Sequence, residues 1–442
     1  MSRIYSWVAL LALVGLMVAG CAAPAQPTPA PTAAPAQPTQ APTAAPAQPT
    51  QAPAQPTQPP AAGEKVLKIG ASLALTGAVS KEGTNVRDGI VFWRDFVNER
   101  GGVDIGGEKY RVEVIFYDDK SDAETGAKLT EKLITEDKVD FIFGPFSSAI
   151  TMNTSVIGEK YKVITIAPQA NSDAIYERGF KYIFSVMPPA STYLRRVIDM
   201  ALAQEPKPKT VAVLIRDDPF GIAAGEGAVK YAQEKGLEVV YQEKFSKDTK
   251  DVSSLLTQVK AANPDLMLAS TLFQDAVLIT KQAKDLKVCP KLMAFTAGPA
   301  IPDFVKELGA DAEYIYGSEW WLPILNWKDP YMGTPKEVAD AFEKKFGYRP
   351  GYHAASGIAA GRILQEALRI AGTKDTEAVR KALLEHGPGD IFWGPTGWNE
   401  QGKNIKGASV PIQIQNGQVV AVWPPEVAQA KPIYPMPCWD ER

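Results

Sequence analysis

The sequence predicts an α/β protein made of two doubly wound units. From Val66 onward, short apolar runs alternate with amphipathic stretches of helical length, the pattern of parallel strands joined through helices. The alternation runs once to about Val186 and then repeats at similar size. The globular part begins near Lys65 and is about 375 residues long, more than one ordinary core holds.

The chain opens on a targeting segment, residues 1–20. Arg3 supplies the positive start, and residues 8–18 form an apolar core too short to remain as a spanning helix. Val18-Ala19-Gly20-Cys21 follows and resembles the lipobox of bacterial lipoproteins. That resemblance implies cleavage before Cys21, lipidation of its sulfur and a persistent anchor in a lipid bilayer. Residues 22–63 are 42 positions of Ala, Pro, Gln, Thr and one Gly. They carry no charge and no large apolar side chain, so they cannot bury a core. Proline favours an extended spacer of roughly 130 Å at ~3.1 Å per residue. Residues 21–64 therefore read as a lipidated cysteine and tether.

In the first unit, residues 66–75 read as a strand and 78–84 as a loop of small residues. A helix over 85–100 is closed by Gly101-Gly102. Residues 103–110 read as a hairpin leading into a strand at 111–117, and a helix spans about 122–136. The unit centres on residues 139–172. Two apolar runs, 139–143 and 163–167, are broken by Gly144-Pro145 and by Pro168. Ser147 and Ser148 fall where a helix starts, and Gln169, Asn171 and Ser172 fall after the second break. Both turns present hydrogen-bonding groups at one sheet edge, where open α/β sheets hold ligands and a helix N-terminus favours an anion.

The second unit reads as strands at 211–215, 238–241, 266–270, 292–296 and 314–319, with helices at about 191–204, 221–235, 252–262 and 275–286. Helices at 334–346, 353–371 and 376–384 and strands at 410–415 and 419–423 complete the chain, the last two flanking Asn416-Gly417.

A formal charge of −3 without a basic block argues against nucleic acid, and no segment after residue 20 has the length and apolarity to cross a membrane. Catalysis finds little support: the two histidines, His353 and His386, sit in no nucleophile or metal motif, and His353 reads as a cap or packing residue. Asp118-Asp119 and Asp217-Asp218 lack calcium-loop spacing. No metal or cofactor is expected. Besides Cys21 the chain has Cys289 and Cys438, able to pair outside the cytoplasm and pin the C-terminal tail.

The segments KIGASLALTGAVSKEGTNVRDGI, YDDKSD, FGPFSS, IAPQANS, DDPFG and FGYRPGYHAASGIAAG, in this order and spacing, resemble the substrate-binding proteins of branched-chain amino-acid-type ABC importers. The resemblance covers residues 66–425. It implies two Rossmann-like lobes joined by three crossovers, the periplasmic binding protein type 1 fold. Lobe one is then 66–188 plus 322–394, lobe two 189–321 plus 395–430, and 431–442 a tail. It implies a non-catalytic, monomeric, extracytoplasmic protein, anchored by its N-terminal lipid, that captures a small carboxylate by hinge closure and delivers it to an ABC permease. By the same resemblance Ser147 and Ser148 bind the ligand carboxylate, and Gln169, Ala170 and Asn171 hold carboxylate and ammonium. Phe220 covers the ligand, Leu272 or Phe273 falls where the family has a second aromatic, and residues 78–83 lie over the ligand side chain. Amino-acid binders of this family place a Glu in the second lobe against the ammonium; here that turn is Phe295-Thr296-Ala297-Gly298-Pro299, with Thr296 its polar member and no acid. Asp217, Asp218 or Glu319 takes that role, or the ligand is an aromatic or aliphatic carboxylate or amide without an ammonium, in which case Trp320, Trp321 and Trp327 are candidate pocket residues beside their reading as packing. A ligand-sensing receptor of the same fold is the other alternative.

Overall fold

The structure, a computed structural model, describes residues 63–442; the expected signal segment, Cys21 and the expected tether up to residue 62 lie outside the described residues. The first lobe is built from β1 (Val66–Leu73), α1 (Ser80–Asn98), β2 (Val103–Ile105), β3 (Glu108–Asp118), α2 (Ala123–Thr135), β4 (Phe141–Phe143), α3 (Ser148–Tyr161), β5 (Thr165–Ala167), the short α4 (Asp173–Tyr176) and β6 (Ile183–Ser185). Its sheet has the order β2-β3-β1-β4-β5-β6, parallel from β3 to β6. Strands β4, β5 and β6 are buried throughout, as parallel strands covered on both faces must be. β3 and β4 leave β1 in opposite directions, so a crevice opens beyond the carboxyl ends of β1 and β4.

After Pro188-Pro189 the chain crosses into the second lobe. A 3₁₀ turn at Ala190–Thr192 precedes α5 (Arg195–Leu202), so the helix expected over 191–204 is two pieces. β7 (Thr210–Asp217), α6 (Pro219–Glu234), β8 (Glu238–Ser246), α7 (Ser253–Ala262), β9 (Leu266–Ser270), α8 (Phe273–Asp285), β10 (Leu292–Phe295), α9 (Pro302–Leu308) and β11 (Tyr316–Glu319) follow. The chain then returns to the first lobe for α10 (Pro335–Phe346), α11 (Tyr352–Ala371), α12 (Thr376–Glu385) and the two-residue strands β12 (Asp390–Ile391) and β13 (Gly394–Pro395). It ends on the second sheet with β14 (Val410–Gln415) and β15 (Gln418–Ala421). That sheet runs β15-β14-β11-β10-β9-β7-β8, with its own reversal between β7 and β9.

The sheets are mixed rather than wholly parallel. β2 is antiparallel to β3, and β14 and β15 are antiparallel additions beside β11. Both edges are closed by two-residue turns, Gly106-Gly107 and Asn416-Gly417, all at positive φ, and so short a turn permits only an antiparallel return. Helix α1 starts at Ser80, inside the expected loop. Its first turn lies on the end of β1, where a Cβ on Gly83 would stand 2.1 Å from the Ala74 carbonyl oxygen; the small residues there serve packing. α1 and α11 also cross closely: a Cβ on Gly357 would lie 2.4 Å from the Val86 carbonyl oxygen.

Two boundaries are set by contacts between residues distant in sequence. Residues 396–407 stay with the first lobe, where Ser185 N–H donates to Gly402 O (2.9 Å) and Asn404 N–H to Ser185 Oγ (2.8 Å). β6 is an edge strand, and its free backbone N–H and the Ser185 hydroxyl take these partners, so the third crossing comes near Ser409. The tail is part of the second lobe: Met436 N–H donates to Lys291 O (2.8 Å), Trp439 Nε1–H to Val288 O (2.8 Å), and Cys438 is disulfide-bonded to Cys289 with Cα atoms 5.3 Å apart. No described helix is long and apolar enough to cross a membrane.

Candidate functional site

The carboxyl ends of the two sheets face each other across a cavity. It holds about 380 Å³ of empty space, part of it open to solvent. From the first lobe it is lined by Phe146, Ser147, Ser148, Gln169, Asn171 and Tyr352, and from the second by Tyr193, Asp218, Phe220, Leu272 and Ala297.

The first wall is set by α3. Ser147 is its N-cap residue but makes no side-chain cap bond, and the first turn holds no acid, so helix donors are left without a carboxylate. Ser148 Oγ accepts from Ser172 N–H at 3.2 Å, which leaves its own proton to donate. Gln169 Nε2–H donates to Ser356 Oγ on α11, at 2.5 Å. Asn171 is 1% exposed; its Nδ2 donates to Pro188 O and its backbone carbonyl accepts from Ala190 N–H at 2.9 Å, tying the turn to the first crossing. Its Oδ1 is buried without a partner, a costly state for an acceptor.

The second wall carries charge. Asp218 caps α6 through Gly221 N–H (2.7 Å) and pairs with Arg216 Nε (2.6 Å), while the same guanidinium reaches Asp275 Oδ2 (2.5 Å). One cation thus serves two acids, leaving one net negative charge when all three are ionised. Burial pushes the Asp275 carboxyl up, against the pull of Arg216. Tyr193 meets Phe220 edge-on at 5.2 Å between centroids, fixing that ring over the cavity. Behind it Glu319 is 2% exposed; burial raises its carboxyl to about 8 although it accepts from Trp320 N–H (3.0 Å) and Trp321 N–H (3.3 Å).

The lobes touch around the cavity. Ser172 Oγ–H donates to Pro219 O at 2.6 Å, and Lys81 reaches Asp303 (2.8 Å) and Glu307 (3.2 Å) while lying 4.4 Å over the Phe273 ring. Glu82 accepts from the Phe273 backbone N–H, and burial lifts its carboxyl to about 6. These contacts join the two lobes around the cavity.

The periplasmic binding protein family matches this chain over residues 66–418. The chain belongs to that family. Among curated periplasmic binding proteins it is similar to Leu/Ile/Val-binding protein homolog 7 of Brucella suis, 24% identical with 82% of this chain and 92% of the relative covered, and to homolog 8 of Brucella melitensis, also 24% identical over 83% and 92%. Solved structures of the same fold include a leucine-binding protein of Thermotoga maritima, with TM-score 0.70, 23% identity, and 80% of this chain and 97% of that one covered. A Streptococcus pneumoniae branched-chain amino-acid transporter substrate-binding protein in complex with isoleucine gives 0.70, 23%, 80% and 98%. Membership implies an extracytoplasmic protein, and these relatives are binding proteins rather than enzymes.

In this periplasmic binding protein, six of the sequence-predicted residues meet in the cavity: Ser147, Ser148, Gln169, Asn171, Phe220 and Leu272. Three do not line it. Ala170 turns into an apolar cluster with Ile175 and Tyr176, and its carbonyl accepts from the Tyr176 hydroxyl. Phe273 is 2% exposed and serves the second lobe's core and Lys81. The Thr296 hydroxyl is consumed by Thr271, accepting from its N–H and donating to its carbonyl, both at 2.8 Å; Ala297 takes the place at the wall. Of the three candidate acids Asp218 lines the cavity, Asp217 is exposed, and Glu319 lies behind the wall. Sequence reasoning missed Phe146, Tyr193 and Tyr352. Tyr352 had a signal, since it opens α11; Tyr193 had none. His353 is a packing residue, 5.6 Å from the Phe146 ring and held neutral by burial, its pKa lowered to about 3.

Proposed function

We propose that this protein captures a small amino acid with an apolar side chain between its lobes and presents it, closed, to an ABC permease. The observation that carries this reading is the meeting of unmet groups in one cavity: donors at the start of α3 and on Ser148, beside the unpartnered Asn171 Oδ1, with the Arg216-paired Asp218 carboxylate on the facing wall. The donors suit a carboxylate and the acceptors an ammonium. Phe146, Phe220, Leu272 and Tyr193 offer apolar cover for a side chain. A ligand touching both lobes selects the closed state, and the permease reads the closed rims. One observation favours a ligand without an ammonium: the Phe295–Pro299 turn has no acid, and Asp218 is already paired with Arg216.

Calorimetric titration of L-leucine, 4-methylpentanoate and 3-methylbutylamine separates the readings. The amino acid should bind at least ~10-fold tighter than the acid lacking nitrogen, one charge-assisted bond being worth roughly that factor, and the amine should not bind. Equal or tighter binding of 4-methylpentanoate would select the ammonium-free ligand. Loss of uptake of the bound solute on deletion of the protein tests delivery to a permease. The residues Val18–Cys21 support a lipid anchor on Cys21; Cys21→Ala should release the protein from the membrane fraction, and retention there would reject the anchor.

A further inference from the structure

Behind the hinge, on the far side of Tyr193 from the cleft, a second cavity holds about 910 Å³ of empty space, part of it open to solvent. All three crossings wall it: Pro188 from the first, Trp320 and Trp327 from the second, and Ala408 and Val410 from the third, with Trp393 and Lys406 of the first lobe and Arg196 of α5 beside them. Three indoles border this cavity: Trp320 and Trp393 are each 5% exposed, and Trp327 is half-buried. They are held in place. Trp320 packs edge-on against Tyr193 at 4.9 Å, and the Trp327 ring lies so close to Gly394 that a Cβ there would come within 3.0 Å of its Nε1.

The charge at this cavity is uncompensated. No carboxylate lines it. Among the described residues neither Arg196 nor Lys406 forms an ion pair, and neither cation sits over an aromatic ring. Most other cations of the two lobes are engaged, Arg216 with two acids and Lys403 with Asp173 and Glu177. Indole faces beside two unpaired cations are complementary to a flat apolar body carrying a negative charge.

We infer that this hinge cavity is a second ligand site, for a small aromatic carboxylate, separate from the cleft between the lobes. Flat rings stack against Trp320, Trp327 and Trp393, and the carboxylate meets Arg196 and Lys406. The site does not depend on which ligand the cleft takes.

The test is calorimetric titration of 1-naphthoate into the full protein and three variants. Wild type should bind one equivalent, and the neutral 1-naphthalenemethanol should bind at least ~10-fold more weakly, the scale of one charge-assisted bond. The double variant Arg196→Gln/Lys406→Gln removes two charges without ion-pair partners and should lose a similar factor with an unchanged thermal melt. Trp327→Ala should also weaken binding. Ser148→Ala, which alters only the cleft, should bind 1-naphthoate as wild type does. Loss of binding in Ser148→Ala with retention in the charge variant would put the naphthoate in the cleft and overturn the inference. Equal binding of the neutral alcohol, or no binding at millimolar concentration, would overturn it as well.

Discussion

Replacing Ser148 by Ala removes one hydroxyl from the cleft wall, and the structure separates its two effects. Ser148 Oγ accepts from Ser172 N–H at 3.2 Å and has no protein acceptor for its own proton among the described residues. That proton is therefore available to a ligand carboxylate. A hydrogen bond to a charged group contributes about 1.5–3 kcal/mol, which is roughly a 10- to 150-fold rise in Kd. The Ser172 N–H loses its acceptor in both free and liganded protein, so that penalty, about 1–3 kcal/mol, falls on stability. The expected outcome is a weaker Kd for the cleft ligand by calorimetry, together with a lowered melting temperature of the free protein. A lowered melting temperature with Kd unchanged within about threefold would show that the hydroxyl only braces the turn and that the carboxylate lies elsewhere.

Three further outcomes follow from named contacts. Burial raises the Glu319 carboxyl from 4.5 to about 8, so the folded state holds the proton more tightly than the unfolded chain. The stability it supports is full below about pH 4.5 and is lost as pH rises through about 8, on the order of 5 kcal/mol in all. Glu319→Gln keeps an acceptor for Trp320 and Trp321, and its melting temperature should climb above wild type from pH 5 to 9; a constant offset across pH would count against this. Cys438→Ser opens a link between residues 149 apart in sequence and should cost about 2–4 kcal/mol in urea denaturation. Because Cys289 precedes β10, at the end of the sheet away from the cleft, ligand affinity should not change; an altered Kd would place the tail in the binding cycle. Gly357→Ala puts a methyl 2.4 Å from the Val86 carbonyl oxygen and should destabilise by ~1–3 kcal/mol or more as the helices separate, where an unchanged denaturation midpoint would mean that α1 and α11 can part freely.

The sequence carried the fold through local signals. Apolar runs such as 139–143 and 163–167 mark buried parallel strands, and Gly-Pro and Pro breaks mark where they end over the cleft, which is why Ser148 and Asn171 were legible. Partners distant in sequence were not. Thr296 looked like a wall residue because nothing local says that Thr271 takes both ends of its hydroxyl. The small residues before Asn85 read as a loop because their reason, the carbonyl of Ala74 against Gly83, lies on another element. Residues 396–407 were read with the second lobe because their partner, the open edge of β6, is distant in sequence. Tyr193 reaches the cavity just past the first crossing, a position that no periodicity records.

The central claim is that donors at the start of α3 grip a small acid between the closed lobes. A crystal structure with the ligand chosen by calorimetry tests it directly. The account places the ligand carboxylate within hydrogen-bond reach of Ser148 Oγ and the first backbone N–H groups of α3, beneath Phe220, with Asn171 Oδ1 taking a ligand donor. A ligand bound away from α3, with Ser148 and Asn171 unengaged, would contradict it.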